Sequence, residues 1–249
     1  MTGAYTRGVR TLSVLIVGDE ILGAEVRDLN GPHLLARARA WGAPVRRAVT
    51  VPDDEGAVVE ALALLGARSD VIVVSGGIGP THDDVTRPAV ARVLDAPLVR
   101  HAEAERRLRG FYGAEVTAAD LSMADLPRGA TLVDGLRTSA FGFRVRDVVV
   151  LPGVPSLFAD LVDGMAPWLG GPPLERAEIV TPHREGEIAD VLAAAQSGAD
   201  DVGIGSYPEL EGGRWRVRIV VRGTDPDRVR AVRVRLEAEL AERVRRTGA

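Results

Sequence analysis

The 249-residue sequence contains no cysteine and no lysine, and it has a single asparagine and a single glutamine. Without cysteine, the chain forms no disulfide, no thiolate metal site and no cysteine nucleophile. Without lysine, it cannot form a Schiff base or use the lysine-dependent phosphate loop. All 31 cationic side chains are therefore arginines, which leaves arginine and backbone amides to hold any phosphate.

Long apolar runs are also absent. No stretch of about 18 apolar residues occurs, which excludes a membrane-spanning helix. The first ten residues lack the apolar centre of a secretory signal, so we expect a cytoplasmic protein. The net charge is −4, which predicts no general attraction to nucleic acid or to a membrane surface.

Apolar strands alternate with amphipathic helices over the first two thirds of the sequence. This alternation predicts an α/β fold, a three-layer α/β/α domain with a mostly parallel sheet over residues 1–170. Residues 170–173, Gly-Gly-Pro-Pro, are the best linker candidate. After them, a β-α-β-β-α pattern predicts a small α+β domain over residues 175–249.

Residues 71–87, VIVVSGGIGPTHDDVTR, join an apolar strand to a glycine-rich turn and two carboxylates. Gly76, Gly77 and Gly79 permit positive φ and a close approach of backbone N–H groups to phosphate or carboxylate oxygens. Asp83 and Asp84 suit such a site mainly if a divalent cation (Mg²⁺, Mn²⁺ or Co²⁺) lies between them and the anion. The alternatives are a tight turn without a ligand and carboxylates that only cap the next helix.

Other polar residues follow strands at the same predicted edge of the sheet. Asp19 and Glu20 follow the first strand, and Asp53 follows the second, where it caps a helix, acts in catalysis, or does both. Asp28 and Asn30 carry groups that can recognise ring nitrogens or a ribose. His82 either binds metal or phosphate or only forms local hydrogen bonds. The turn 152–155, Pro-Gly-Val-Pro, is predicted to form a wall of the pocket.

Three ordered segments, GDEILGAEVRDLN (18–30), SGGIGPTHDD (75–84) and PGVP (152–155), resemble the molybdopterin-binding domain family and its CinA-type (competence/damage-inducible) branch. Asp53 and Asp84 look like the carboxylates considered catalytic in the molybdenum-cofactor members, and Asp83 and Asp84 are the candidate metal ligands. The candidate ligand-binding residues are Gly18, Asp19, Glu20, Asp28, Asn30, Ser75, Gly76, Gly77, Gly79, Pro80, Thr81, His82, Pro152, Gly153 and Pro155.

The resemblance implies a pocket for a nucleotide or a pterin near a divalent metal. The expected activity is a metal-dependent nucleotide pyrophosphatase that acts on ADP-ribose or a similar dinucleotide. The alternatives are a non-catalytic protein that binds a pterin or nucleotide, and adenylyl transfer to molybdopterin in molybdenum cofactor biosynthesis. The amidase domain of full-length CinA proteins does not occur in these 249 residues, so we do not expect deamidation of nicotinamide nucleotides.

The family's pterin-binding domains commonly associate, which predicts a homo-oligomer, a dimer or a trimer. Leu136, Phe141 and Phe143 are close in sequence and are predicted to form an apolar patch that a partner subunit covers. Two substitutions are also predicted from sequence. Gly77→Val is expected to block ligand binding more than it lowers stability, provided that the residue faces the ligand and does not only shape the turn, and Asp84→Ala to abolish turnover while the fold stays intact.

Overall fold

The computed structural model describes residues 10–165, Leu169 and 174–247. The chain divides into two compact units, residues 1–171 and 172–249. The predicted linker at 170–173 lies outside the described residues. The strands of the first unit are β1 (Leu12–Val17), β2 (Val45–Val51), β3 (Val71–Ser75), β4 (Leu98–Arg100), β5 (Asp125–Pro127), β6 (Thr131–Asp134), β7 (Phe141–Val145) and β8 (Val148–Leu151).

Seven α-helices connect these strands in the described part of the first unit, with a short 3₁₀ turn at Gly113–Glu115 after the fifth. They are α1 (Asp19–Leu22), α2 (Asn30–Ala40), α3 (Glu55–Gly66), α4 (Thr86–Val93), α5 (Ala102–Tyr112), α6 (Ala118–Ser122) and α7 (Pro155–Gly164). Several helices begin where the sequence supplies a cap. For example, the Asp54 carboxylate accepts a hydrogen bond from Ala57 N at the start of α3.

The central sheet of the first unit has six strands in the order β2-β1-β3-β8-β7-β6. Strands β2, β1, β3 and β8 run parallel, whereas β7 and β6 are antiparallel to their neighbours. All six residues of β1 are buried, as expected for a strand covered on both faces of a sheet. The prediction of a mostly parallel sheet is therefore confirmed.

Helices cover both faces of this sheet, because successive residues of a strand point to opposite sides. Leu15 and Val17 of β1 pack in one core with residues of α3 and α4 such as Leu62 and Val90. Val14 of β1 packs in a second core, which contains residues of α2 and α7. The result is the predicted three-layer α/β/α arrangement.

The four parallel strands end at the same level. The register pairs Val17 with Val51, Ile16 with Ser75, and Ser75 with Leu151. Each strand then passes into one of the segments that the sequence marks as polar or glycine-rich. This edge of the sheet is where ligand sites form in open α/β folds.

The second unit contains β9 (Glu175–Thr181), α8 (Glu185–Ser197), β10 (Val202–Glu211), β11 (Arg214–Gly223) and α9 (Pro226–Thr247). Its three strands form an antiparallel sheet in the order β10-β11-β9. Residues of α8 and α9 such as Ile188 and Leu236 pack with Ile219 of β11 in one core. The predicted small α+β fold is confirmed. Within the described residues, no helix combines the length and apolar character needed to cross a bilayer.

Candidate functional site

A cavity of about 780 Å³ opens at the carboxyl edge of the parallel strands. The structure brings nine of the predicted site residues to its wall. They are Glu20, Asp53, Gly76, Gly77, Gly79, Asp83, Asp84, Pro152 and Gly153. These residues come from the ends of four different strands, so the alignment of the strand ends builds this half of the cavity.

The glycine turn after β3 depends on its lack of side chains. Gly76 and Gly77 have φ of +99° and +67°, which residues with a Cβ rarely adopt. A Cβ on Gly77 would lie 2.3 Å from Thr86 Oγ1, and one on Gly76 would lie 2.4 Å from Val17 O. The expectation for Gly77→Val is therefore wrong, because the new side chain would clash inside the protein and destabilise the turn.

The backbone N–H groups of the turn are only partly available to a ligand. Gly76 N donates to Leu151 O at 3.1 Å, and Gly79 N donates to Asp84 Oδ1 at 2.7 Å. The structure therefore excludes these two groups from the predicted phosphate cradle. Within the described chain, the N–H groups of Gly77 and Ile78 have no hydrogen-bond acceptor, and they remain suited to an anion.

The Asp84 carboxylate closes the loop that follows the glycine turn. Its Oδ1 accepts from Gly79 N, and its Oδ2 accepts from Thr81 N at 2.8 Å and Thr81 Oγ1 at 2.5 Å. Removing it would free three donors, so Asp84→Ala is expected to loosen this loop, while the prediction that the fold stays intact remains a prediction. Asp83 is exposed, and its pKa lies below the ordinary value because the Thr81 side chain and its own backbone N–H stabilise the ionised form.

Asp53 lies at the end of β2 and contacts the first polar segment. Its Oδ2 accepts a hydrogen bond from Asp19 N at 2.8 Å, while the cap of α3 is the neighbouring Asp54. Asp53 is half-buried, and among the described residues its Oδ1 accepts no hydrogen bond, so this oxygen can face a ligand. Glu20 lies against Gly18, where a Cβ would be 2.7 Å from Glu20 Oε1.

Asp28 and Asn30 form hydrogen bonds with other protein groups and do not lie on the cavity wall. Asp28 Oδ1 accepts from Asn30 N and Gly31 N, both at 2.9 Å, which is the role of a helix cap. The buried Asn30 amide donates to Ser75 Oγ at 2.9 Å and to Gly153 O at 2.7 Å. Asn30 thus joins the end of β3 to the turn after β8 and positions both.

The other predicted ligand-binding residues flank the cavity without lining it. Gly18 and Ser75 are buried at the ends of β1 and β3. Asp19 contributes its backbone N–H to Asp53, and Pro155 occupies the first turn of α7. Thr81 supports Asp84. Pro80 and His82 are exposed.

The opposite half of the cavity is apolar, and the motifs did not predict it. It is formed by α5, the segment 123–126, β7 and the turn before β7. Its apolar side chains are Leu108, Phe111, Tyr112, Met123, Leu126, Phe141, Phe143, Val154 and Leu157. The sequence describes α5 as a polar helix rich in arginine and glutamate, and the signal that was available is the apolar run Phe111-Tyr112 at its end. Arg87 of α4 and Arg107 of α5, which is paired with Glu103 and Asp134, also line the cavity, and neither was predicted.

A buried carboxylate holds the loop that carries part of this apolar half. Asp160 of α7 is 1% exposed and accepts hydrogen bonds from the N–H groups of Leu136, Arg137 and Thr138 and from Thr138 Oγ1. Burial alone would raise the pKa of Asp160, but these hydrogen bonds, led by that from the Thr138 side chain, lower it below its ordinary value. Thr138 and the two residues after it reach the cavity.

The apolar patch predicted for subunit association is not present as such. Phe143 is 1% exposed and belongs to the core, and Phe141 is partly buried and lines the cavity. Of the three side chains, only Leu136 is largely exposed. The rings of Phe141 and Phe143 pack against the core because they lie on β7, inside the sheet, rather than in the preceding loop.

Comparison with known proteins identifies the two units. Residues 13–171 match the family model described as probable molybdopterin binding domain, and residues 173–247 match the model described as FAD synthase, middle domain. A CinA-like protein of Citrifermentans bemidjiense is 42% identical over 151 residues, which are 58% of this chain and 36% of the relative. A CinA-like protein of Syntrophus aciditrophicus is 30% identical over 250 residues, which are 94% of this chain and 59% of the relative.

The chain therefore spans between about a third and three fifths of the length of these curated relatives. Among solved structures, the protein CinA with unknown function from Thermoplasma acidophilum superposes with a TM-score of 0.60 at 30% identity. The match covers 64% of this chain and 97% of that protein. The chain belongs to the molybdopterin-binding domain family, in its CinA-type branch.

Proposed function

We propose that the cavity binds a nucleotide that contains a phosphoanhydride, such as ADP-ribose or a similar dinucleotide, and that the protein hydrolyses it with a divalent cation. The observation that carries the proposal is the division of one cavity into two chemically different halves. Four carboxylates and a glycine turn line one half, and apolar and aromatic side chains line the other. A ligand with both phosphates and a flat ring matches this division.

The carboxylates fit a cation that the protein shares with its ligand. Among the described residues, no group of three or more histidine, aspartate or glutamate side chains is placed to hold a metal ion alone. Mg²⁺ is commonly bound through one or two carboxylates together with substrate phosphates and water. Asp83 and Glu20 are the candidate ligands, and a bound cation would neutralise phosphate charge and lower the pKa of a coordinated water.

The two carboxylates predicted as catalytic then have different roles. Asp53 keeps one oxygen clear of its contact with Asp19 N, and that oxygen can take a proton from an attacking water. Asp84 accepts three hydrogen bonds within its loop and has few lone pairs left for a ligand. We therefore assign Asp84 mainly to holding the glycine turn and Asp83 to contact with the cation.

The hydrolysis is balanced by one water. Attack on the adenylyl phosphorus of ADP-ribose breaks the anhydride P–O bond and releases AMP and ribose 5-phosphate, with the proton of the water passing to Asp53. The N–H groups of Gly77 and Ile78 are available for phosphate oxygens that gain charge in the transition state. The lack of lysine is compatible with this scheme, since none of these steps needs an amine.

A second candidate is a protein that binds a pterin or nucleotide without turning it over, or one that transfers an adenylyl group to molybdopterin. The family description, probable molybdopterin binding domain, favours a pterin as ligand. Molybdopterin also combines a ring system with a phosphate, so the same two halves of the cavity suit it. Catalysis and the presence of a metal distinguish these candidates, and both can be measured.

The test is a panel of ADP-ribose, FAD, NAD and ATP, each with Mg²⁺, Mn²⁺ or Co²⁺, read by the release of AMP. We expect metal-dependent AMP release from at least one dinucleotide and its loss on addition of a chelator. Binding without AMP release from any member of the panel would favour the non-catalytic alternative. Transfer of AMP from ATP to molybdopterin, with no hydrolysis of dinucleotides, would favour the synthetic one.

We also propose that the protein is a homo-oligomer, a dimer or a trimer, on the family resemblance alone. The sequence argument from an apolar patch no longer supports this proposal, because Phe143 is buried. Light scattering across a dilution series measures the mass directly. A mass near 26.4 kDa at every concentration would contradict association.

A further inference from the structure

Arg87 is an unusual residue for the inside of a protein. Among the residues that the structure describes, it is the only arginine in the buried class, with 7% of its surface exposed. It lies in the first turn of α4 and contributes to the wall of the cavity between the glycine turn and the apolar half. Buried charges are normally paired with an opposite charge or bound to an ion.

The guanidinium of Arg87 has only neutral partners. Its Nη2 donates to Gly79 O at 2.7 Å, and its Nη1 donates to Ser122 O. In the described part of the chain, its Nε has no hydrogen-bond partner, and no carboxylate approaches within ion-pair distance of it. One donor and the full positive charge are therefore left without a direct partner beside the cavity.

A buried guanidinium without an opposite charge lowers the stability of the folded protein unless another interaction compensates for it. Burying an ion without an opposite charge beside it carries a large desolvation penalty. Burial lowers the pKa of Arg87, while the nearby charges of Asp84 and Asp125 raise it and only partly offset that effect. An arginine stays charged at neutral pH, so the cost is not avoided by loss of a proton.

The start of α4 adds positive potential at the same place. Val85, which precedes the helix, provides no side-chain cap, although Thr86 N donates to Gly77 O at 3.0 Å and Pro88 has no N–H, so the helix contributes mainly through its dipole. The positive end of the helix dipole thus lies beside a buried cation, and both favour an anion. The cavity is the side from which an anion can approach.

We propose that Arg87, at the wall of the cavity, binds a phosphate group of the ligand through the charge of its guanidinium. This inference rests on the proposed function in one respect, the identity of the anion as a phosphate group of a nucleotide. It does not require that the protein hydrolyse its ligand. It places the phosphates between the carboxylate rim and the apolar half, so that the ring of the same ligand lies toward Phe111. Asp83 and the glycine turn would then face the phosphates from the other side.

The first test is calorimetric titration with inorganic pyrophosphate in the absence of metal, which measures binding alone. We expect Arg87→Met to lower the affinity at least tenfold, because methionine keeps an apolar stem and removes the charge. The matched control is Arg92→Met on the same helix, at a side chain that is 67% exposed, and its affinity should stay within twofold of the wild type. Equal affinities for wild type and Arg87→Met, or no binding by the wild type, would overturn the proposal.

A second measurement does not depend on a variant that folds. In the NMR spectrum of the wild-type chain, the Arg87 Nε–Hε signal should shift on addition of pyrophosphate, while that of Arg92 should not. An unmoved Arg87 signal at saturating pyrophosphate would overturn the proposal, since a merely structural guanidinium would not sense the ligand. Because neither experiment needs turnover, a protein that binds pyrophosphate at Arg87 but releases no AMP would fail the proposed function and not this inference.

Discussion

The two halves of the cavity are built in different ways. The polar half comes from short segments that directly follow parallel strands, and the loop after its glycine turn is fixed by contacts a few residues away, those of Asp84 with Gly79 and Thr81. The apolar half is assembled from elements far apart in sequence, and its loop is held by Asp160 on α7, 22 residues or more from its partners. Local contacts therefore hold the Asp84 loop, Asn30 adds a tertiary link between two segments of the polar half, and the tertiary contacts of Asp160 hold the loop of the apolar half.

This difference predicts that the two halves respond to different substitutions. The polar half depends on backbone conformation and on hydrogen bonds to carboxylates near the surface. The apolar half depends on one buried carboxylate and on packing. If the comparison holds, some substitutions should lower the stability of one half, and others should remove only a contact with the ligand. Unfolding and binding measurements should distinguish the two kinds.

The largest expected loss of stability follows from Asp160→Ala. The change leaves three backbone N–H groups and the Thr138 hydroxyl without their acceptor in a buried place. The matched control is Asp163→Ala on the same helix, at a side chain that is 20% exposed and forms ion pairs with Arg37 and Arg137. Urea unfolding should show a much lower midpoint for Asp160→Ala than for Asp163→Ala. Equal midpoints would mean that Asp160 does not support the loop.

The same carboxylate predicts a pH dependence of stability. The pKa of Asp160 in the folded protein lies below its ordinary value, and the unfolded chain has a pKa of about 3.9. Its stabilising contribution is therefore fully present above the unfolded pKa and is lost as pH falls through the lower, folded pKa. Unfolding midpoints measured from pH 7 to pH 2.5 should fall more steeply below pH 4 in the wild type than in Asp160→Asn. Parallel curves would contradict the assignment.

Gly77→Ala tests the backbone of the polar half. The φ of +67° and the approach of a Cβ to 2.3 Å from Thr86 Oγ1 predict a loss of about 3 kcal/mol in the free energy of unfolding. The control is Gly110→Ala in α5, where a Cβ meets no atom within 4 Å and where alanine should stabilise the helix by about 0.5–1 kcal/mol. A neutral result at Gly77, measured by urea unfolding, would show that the turn can relax.

Asp84→Ala and Asp83→Ala separate loop support from ligand contact. Loss of the three hydrogen bonds of Asp84 should lower the free energy of unfolding by about 1–2 kcal/mol. Asp83 is exposed, and its removal should change stability by less than about 0.5 kcal/mol. On the proposed function, both variants should lose AMP release. Any activity that remains in Asp83→Ala should depend less on metal concentration. Full activity in Asp83→Ala would move the cation to other carboxylates.

The sequence predicted the sheet, both units and half of the cavity, because strands of consecutive apolar residues and the glycine turn are local signals. It could not predict that Asn30 is a buried link between Ser75 and Gly153, since the partners are 45 and 123 residues away. Phe143 looked like part of a surface patch in sequence, but its place on β7 puts it in the core. Arg87 follows the last motif residue by three positions, and only tertiary burial distinguishes it from thirty other arginines.

The smallest expected effect concerns the ring of the ligand. Phe111 lines the cavity yet is 73% exposed, and it forms an edge contact with Tyr112 at 4.9 Å between ring centroids. Stacking of a base on an aromatic side chain contributes about 1–3 kcal/mol, and we expect the low end at so exposed a ring. Phe111→Ala should therefore weaken the binding of ADP-ribose by about fivefold, a change of about 1 kcal/mol, and leave stability almost unchanged. Calorimetry with inorganic pyrophosphate is the matched control, because a ligand without a ring should bind both proteins equally. If the affinities for pyrophosphate and ADP-ribose fall together, Phe111 supports the cavity as a whole, and the apolar half does not recognise the ring.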